Sequence, residues 1–166
     1  MSEIKIDVDS RALQRALGAL TLRMADLSPL TADIGELLLE STKRRFASGE
    51  APDGTPWVPL ADGSGRTPLT LTGTMRDQIF PSSGSDFVEI SASAKQARWH
   101  QFGTAPYTIK PRSGSVLRFG GPDGVVFARA VNHPGLPARP FLGLSAQDES
   151  DIDALVLAYI DLDGAR

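Results

Sequence analysis

Between His133 and Gly143 the chain reads His-Pro-Gly-Leu-Pro-Ala-Arg-Pro-Phe-Leu-Gly, with three prolines and two glycines in eleven residues. Such a stretch cannot be regular helix or a central strand, because proline removes the donor that either ladder needs. Pro134, Pro137 and Pro140 each fix φ, and each drives the residue before it toward extended geometry. The product is a stiff, extended arm. It holds the Arg139 guanidinium on a backbone with little freedom, and it ends in two large apolar groups, Phe141 and Leu142. One reading makes it a docking device that presents Arg139 to a partner. The other makes it an ordered loop that closes over the subunit's own core. Chemistry is the weakest reading, since the stretch contains no nucleophile.

At 166 residues the chain is expected to form a single domain, residues 1–166, large enough to bury a core. Glycine and proline, at 16 and 12 residues, exceed average usage, which predicts long ordered loops. A net charge of −3 gives no whole-molecule attraction to nucleic acid or membrane. The chain has no cysteine, so disulfides and thiolate metal sites are excluded. Residues 1–6 lack the apolar run of a signal peptide, and no apolar run reaches the length that spans a bilayer, so a start in the cytoplasm is expected. Charge is segregated: Lys95 to Arg139 carries seven basic residues and one acid, whereas Pro140 to the end carries six acids and one base. This pattern describes either two solvated faces or a subunit whose basic side meets the acidic side of a neighbouring copy.

Alternation of Ile4, Ile6 and Val8 predicts a half-buried strand over residues 3–9, with Asp9 or Ser10 capping the helix that follows. Leu13, Leu17, Leu20, Met24 and Leu27 fall on one stripe of a helix over 10–27. A second helix begins at Ser28-Pro29, with Ser28 as its cap. It runs to about 47 through Leu30, Ile34, Leu37, Leu38 and Phe46, and Gly49 stands where a terminating glycine belongs. Lys43, Arg44 and Arg45 lie in its last turns, favourably placed for the helix dipole. From Gly49 to Pro68 the chain is loop, with an Asp53-Gly54 turn and Trp57 packed down to pin it. Thr70 or Thr72 caps a short helix reaching Ile79 and Phe80. Residues 87–90 form a strand and residues 94–102 a short helix ended by Gly103. Val116 to Phe119 and Val125 to Phe127 form a hairpin around a loop at 120–124. Ser145 caps a last helix with Asp148 and Glu149 in its first turn and Ile152, Leu155, Val156, Tyr159 and Ile160 as its stripe. N-terminal helices and a C-terminal helix around an antiparallel β-sheet make the fold class α+β.

The two histidines make a poor metal site, because neither has carboxylates nearby to complete a ligand set. His100, beside Trp99, reads as a core-edge or interface residue, and His133 as a hydrogen-bonding loop residue. No Gly-x-Ser-x-Gly elbow and no phosphate-binding loop occurs. The expectation is therefore a protein that is not an enzyme and takes no cofactor.

Four stretches occur together and in order: Pro52-Asp53-Gly54 with Trp57 and Pro59-Leu60; Pro68-Leu69 with Thr72-Gly73; His100-Gln101-Phe102-Gly103-Thr104; and Pro137-Ala138-Arg139-Pro140-Phe141-Leu142-Gly143 followed by Asp148. In this the chain resembles the phage virion morphogenesis family, the tail-completion and head–tail joining proteins, over residues 50–150. Ala97-Arg98-Trp99 and Met75 depart mildly from the family pattern at packing positions. The resemblance implies a structural virion protein that forms a ring at the neck end of the tail, a homo-oligomer with six subunits suggested by tail symmetry. Its partners would be the tail tube and the head-connector or neck proteins, with DNA passing through and no membrane involved. Candidate subunit and partner contacts are Trp57, Arg98, Trp99, His100, Arg112, Arg118, Arg139 and Phe141. Two alternatives stand. One is a nucleic-acid-binding adaptor that uses Arg98, Lys110, Arg112 and Arg118 interleaved with Trp99, Phe102, Tyr107 and Phe119. The other is an assembly chaperone absent from the particle.

Overall fold

A computed structural model describes residues 10–121 and 124–161. The expected strand over 3–9 and the Asp9 cap lie outside the described residues. Helices and small antiparallel sheets are mixed along the chain, so the fold is α+β. The described residues fall into two compact units. One contains the segments up to Lys43, Ile79–Ser91 and the segment from Leu144 onward, and the other contains Arg44–Gln78 and Ala92–Gly143.

The first unit is built on helices. α1 spans Arg11–Ala25 and α2 spans Ser28–Ser48, whose last turn belongs to the second unit. At the break between them the Asp26 carboxylate accepts from the Ser28 N–H at 2.9 Å, and Ser28 is the first residue of α2. The side-chain and backbone hydrogen bonds from Ser28 hold that carboxyl below its ordinary pKa. The predicted stripe of α1 exists as a stripe but is not buried: Leu13, Leu17 and Met24 are all exposed.

In α2 the buried face is partly polar, with Thr31, Gly35, Leu39 and Thr42 at helical spacing. Ile34, Leu37 and Leu38 are only half-buried. Small residues are needed there. A Cβ on Gly35 would sit 3.4 Å from Pro81 Cβ, and Thr31 Oγ1 lies 2.6 Å from the Gly84 carbonyl. Both contacts belong to the hairpin of β1 (Ile79–Ser83) and β2 (Val88–Ala92), closed by Gly84 N–H donating to Phe87 O at 3.0 Å. Ile79 and Phe80 are therefore strand residues. The preceding helix α3 is only Thr74–Asp77, started by Gly73 at φ 71° without a side-chain cap. Pro81 is accommodated because both strands of a two-stranded sheet are edges.

The last helix of this unit, α5, spans Ala146–Ile160. It opens with a reciprocal cap: Ser145 Oγ accepts from Asp148 N–H at 3.1 Å, and Asp148 Oδ2 accepts from Ser145 N–H at 2.8 Å. At its far end Tyr159 Oη donates to Asp26 O at 2.9 Å, and Arg23 donates to Asp161 O at 2.7 Å, which fastens α5 to the end of α1.

The second unit is mostly loop, organised by α4 (Ala97–Phe102) and two short ladders. β3 (Tyr107–Ile109) pairs antiparallel with β6 (Val131–His133), with Tyr107 opposite His133. β4 (Leu117–Gly121) pairs with β5 (Gly124–Ala128), with Phe119 opposite Val126. That ladder runs to Gly121–Gly124, so the glycines expected in a five-residue loop are strand residues.

Ser145→Ala removes one half of the cap on α5. Loss of an N-cap hydroxyl costs ~1 kcal/mol, which should lower the melting temperature by about 2–4 °C in a chain of this size. Thermal denaturation followed by circular dichroism is the measurement.

Candidate functional site

The proline arm buries Arg139 and Phe141 in the second unit while Pro134, Pro137 and Ala138 stay exposed, and its backbone cannot supply its own hydrogen bonds. Side chains from distant segments take over. Gln101 on α4 does most: its Oε1 accepts from the N–H of Phe141 at 3.0 Å and of Leu142 at 3.1 Å, while its Nε2 donates to Leu142 O at 2.9 Å. Arg45, in the last turn of α2, donates to Phe141 O at 2.9 Å and Gly143 O at 2.8 Å. Trp57 Nε1 donates to Pro140 O at 2.8 Å. Arg45 stands in the last turn of α2 where the helix dipole favours it, and it is also buried and bonds the arm.

Apolar packing follows the same lines. Phe141 is 0% exposed, and its ring lies 5.3 Å from that of Phe46, which meets Trp57 edge-on at 5.6 Å. Such tilted and edge contacts are favoured over stacked sandwiches. Trp57 is fixed as the sequence predicts: its N–H donates to Gly49 O at 2.7 Å, and the turn before it is closed by Asp53, which accepts from Thr55 N–H at 2.9 Å.

Arg139 points inward. Its Nε donates to Val58 O at 2.8 Å, a terminal nitrogen donates to Pro59 O at 3.1 Å, and its own N–H donates to His100 O at 2.7 Å. The guanidinium is 5% exposed, and burial draws its pKa below the ordinary value. The bonds of Arg139 fit the second of the two readings of the arm, an ordered loop that closes over its own subunit. Glycines permit the close approach. Gly103, at φ 71°, leaves no room for a Cβ, which would lie 2.8 Å from Leu136 O. At Gly135, φ 92°, a Cβ would collide with Thr104 O.

Of the eight residues singled out from sequence, Trp57, Arg139 and Phe141 are interior to this unit. His100 is half-buried, with its Nδ1 buried and unbonded. Desolvation, and then the Arg139 charge, pushes its pKa down. Arg98, Trp99, Arg112 and Arg118 are exposed. His133 accepts from Gly135 N–H through Nδ1 at 3.0 Å and stacks on Tyr107; the hydrogen bonding is as expected, but the residue ends strand β6 and is not in a loop. Sequence reasoning gives no role to Gln101, although it stands inside one of the four quoted stretches, and gives Arg45 only the helix dipole. No group of three or more metal-ligating side chains occurs among the described residues. No described helix is long and apolar enough to cross a membrane.

Three of those stretches meet here as one construction: the Asp53–Trp57 turn, the α4 segment and the arm. A subunit of this kind, with a rigid interior scaffold and an exposed basic and aromatic surface, is suited to assembly. Residues 8–161 match the phage virion morphogenesis family, and the chain belongs to it. The match extends over the N-terminal helices, beyond the residues 50–150 that carry the resemblance. Tail completion protein S of Escherichia phage P2 is 31% identical over 149 residues, covering 86% of this chain and 93% of that protein. Putative capsid assembly protein G of Escherichia phage Mu is 27% identical over 161 residues, covering 90% and 89%. No solved structure matches.

Two outcomes are expected. Arg139→Ala removes charge-assisted hydrogen bonds to two carbonyls and should cost ~2 kcal/mol, a fall in melting temperature of about 4–8 °C. An unchanged melt would return Arg139 to the surface role. Second, His100 is held neutral in the fold, so the unfolded chain binds its proton at higher pH and stability rises with pH. Stability should be full above the ordinary histidine value of 6.5 and decline as pH falls from there toward the lowered value in the fold. His100→Asn should flatten that decline in melting curves taken from pH 7.5 to 5.

Proposed function

We propose that this protein completes the phage tail and joins it to the head, acting as an oligomeric ring at the neck. The observation that carries the reading is the match with tail completion protein S of phage P2 over nearly the full length of both chains. The structure is consistent with a non-enzymatic role, since the polar side chains of the arm are occupied in holding backbone. In this reading the partners are other copies of the same chain, the tail tube and the head-connector proteins, with DNA passing through the ring unread. Six subunits would suit the symmetry of a tail. The protein would reside in the virion, after assembly in the host cytoplasm. Segregated charge along the chain favours contact between unlike faces of successive copies, an arrangement that closes into a ring when the rotation allows.

The test is a phage carrying a deletion of this gene. Unjoined heads and tails should accumulate, and the supplied protein should restore joined particles and be retained in purified virions. Light scattering of the purified protein, alone and with tails from the deletion phage, should show association that weakens with salt. Joined particles without the protein would overturn the role. Restoration without retention would favour the chaperone reading.

A further inference from the structure

The helix α4 has two sides with different work. Ala97 is buried, and His100 and Gln101 hold the arm. Arg98, Trp99 and Phe102 lie on the other side at helical spacing, where residues three and four apart are neighbours. Trp99 is 53% and Phe102 74% exposed. Exposure of this degree is unusual for a tryptophan and a phenylalanine on a short helix clamped by its own neighbours. Because the inner side is bonded to the arm, the outer side is rigid, and a partner would meet it with little ordering cost. Arginine, tryptophan and other aromatic residues are also the types that dominate binding energy at protein interfaces.

Charge selects the occupant. Arg98 makes no ion pair among the described residues, and it belongs to the strongly basic segment between Lys95 and Arg139. The surface that fits must be both acidic and apolar. The chain itself carries one, on α5. Glu149, Asp153 and Leu157 recur every four residues, all exposed, with Leu157 at 69%. Neither carboxylate has a partner among the described residues. The opposite side of the helix is engaged through Tyr159. This stripe therefore faces away from the subunit's own anchoring contacts.

We infer that the outer face of α4 (Arg98, Trp99, Phe102) docks on the Glu149–Asp153–Leu157 stripe of α5 in a neighbouring copy. Arg98 pairs with the carboxylates, for which its planar fork is suited, and the two rings cover Leu157. The surfaces are unlike, so the contact is heterologous and repeats from copy to copy. This inference rests on the ring reading and names the seam of that ring.

The test is a charge swap. Arg98→Glu, Asp153→Arg and the double variant are compared with wild type by sedimentation and light scattering, alone and on tails from the deletion phage. Trp99→Ala is included as an uncharged probe. All three positions are exposed, so melting curves should be unchanged. Each single charge variant and Trp99→Ala should weaken association by roughly tenfold, and the double charge variant should recover to within about threefold of wild type, as expected for a direct close pair. Wild type that assembles while the single variants assemble equally well would overturn the inference and leave the ring reading standing. The same holds for a double variant no better than its parents. Wild type that stays monomeric even on tail ends would overturn the ring reading and the inference with it.

Discussion

A peptide carbonyl taken out of water without a donor costs ~1–3 kcal/mol, and the interior arm from Pro140 to Gly143 presents several. With prolines at 134, 137 and 140 this segment has surrendered the N–H groups that a ladder would use. The second unit is arranged around that deficit. Arg45 arrives from the end of a long helix, Trp57 from a turn, and Gln101 from a helix of six residues, and all three bond the same few backbone groups. In return the arm sends Arg139 back to bond Val58 and Pro59. Removing any one partner leaves a buried polar group unbonded, so the segments of this unit are mutually dependent.

Much of this was legible in the order of residues and some was not, for physical reasons. The C-terminal helix and its Ser145–Asp148 cap are local: a hydroxyl, three residues and a carboxylate suffice to specify them. The same is true of the Gly103 stop and of the α2 terminus at Gly49, whose φ is 76°. Trp57 was placed by its cost of exposure alone. The misread positions depend on partners far along the chain. Ile79 and Phe80 follow a helical turn and would suit another, yet they pair with residues beyond Phe87. The half-polar buried face of α2 cannot be read from apolar spacing, because what it meets is a glycine turn and a proline. Arg139 could have faced either way on a stiff backbone, and the carbonyls that turned it inward lie about eighty residues earlier.

One side of α4, a helix of six residues, is used to hold the arm, and the other remains uncovered with two aromatic rings and an arginine. The proline arm supplies rigidity where regular sheet is scarce, since the sheets among the described residues have two strands each, a size that is marginal by itself in water.

The way the first unit is pieced together has a consequence for synthesis. Its opening helices precede Lys43, but the helix that fastens to the end of α1 through Tyr159 comes only after Leu144. At a ribosome adding roughly 5–20 residues per second, α1 waits several seconds for that counterpart. The first unit therefore cannot close its α1–α5 fastening until α5 has been made, well over a hundred residues after α1.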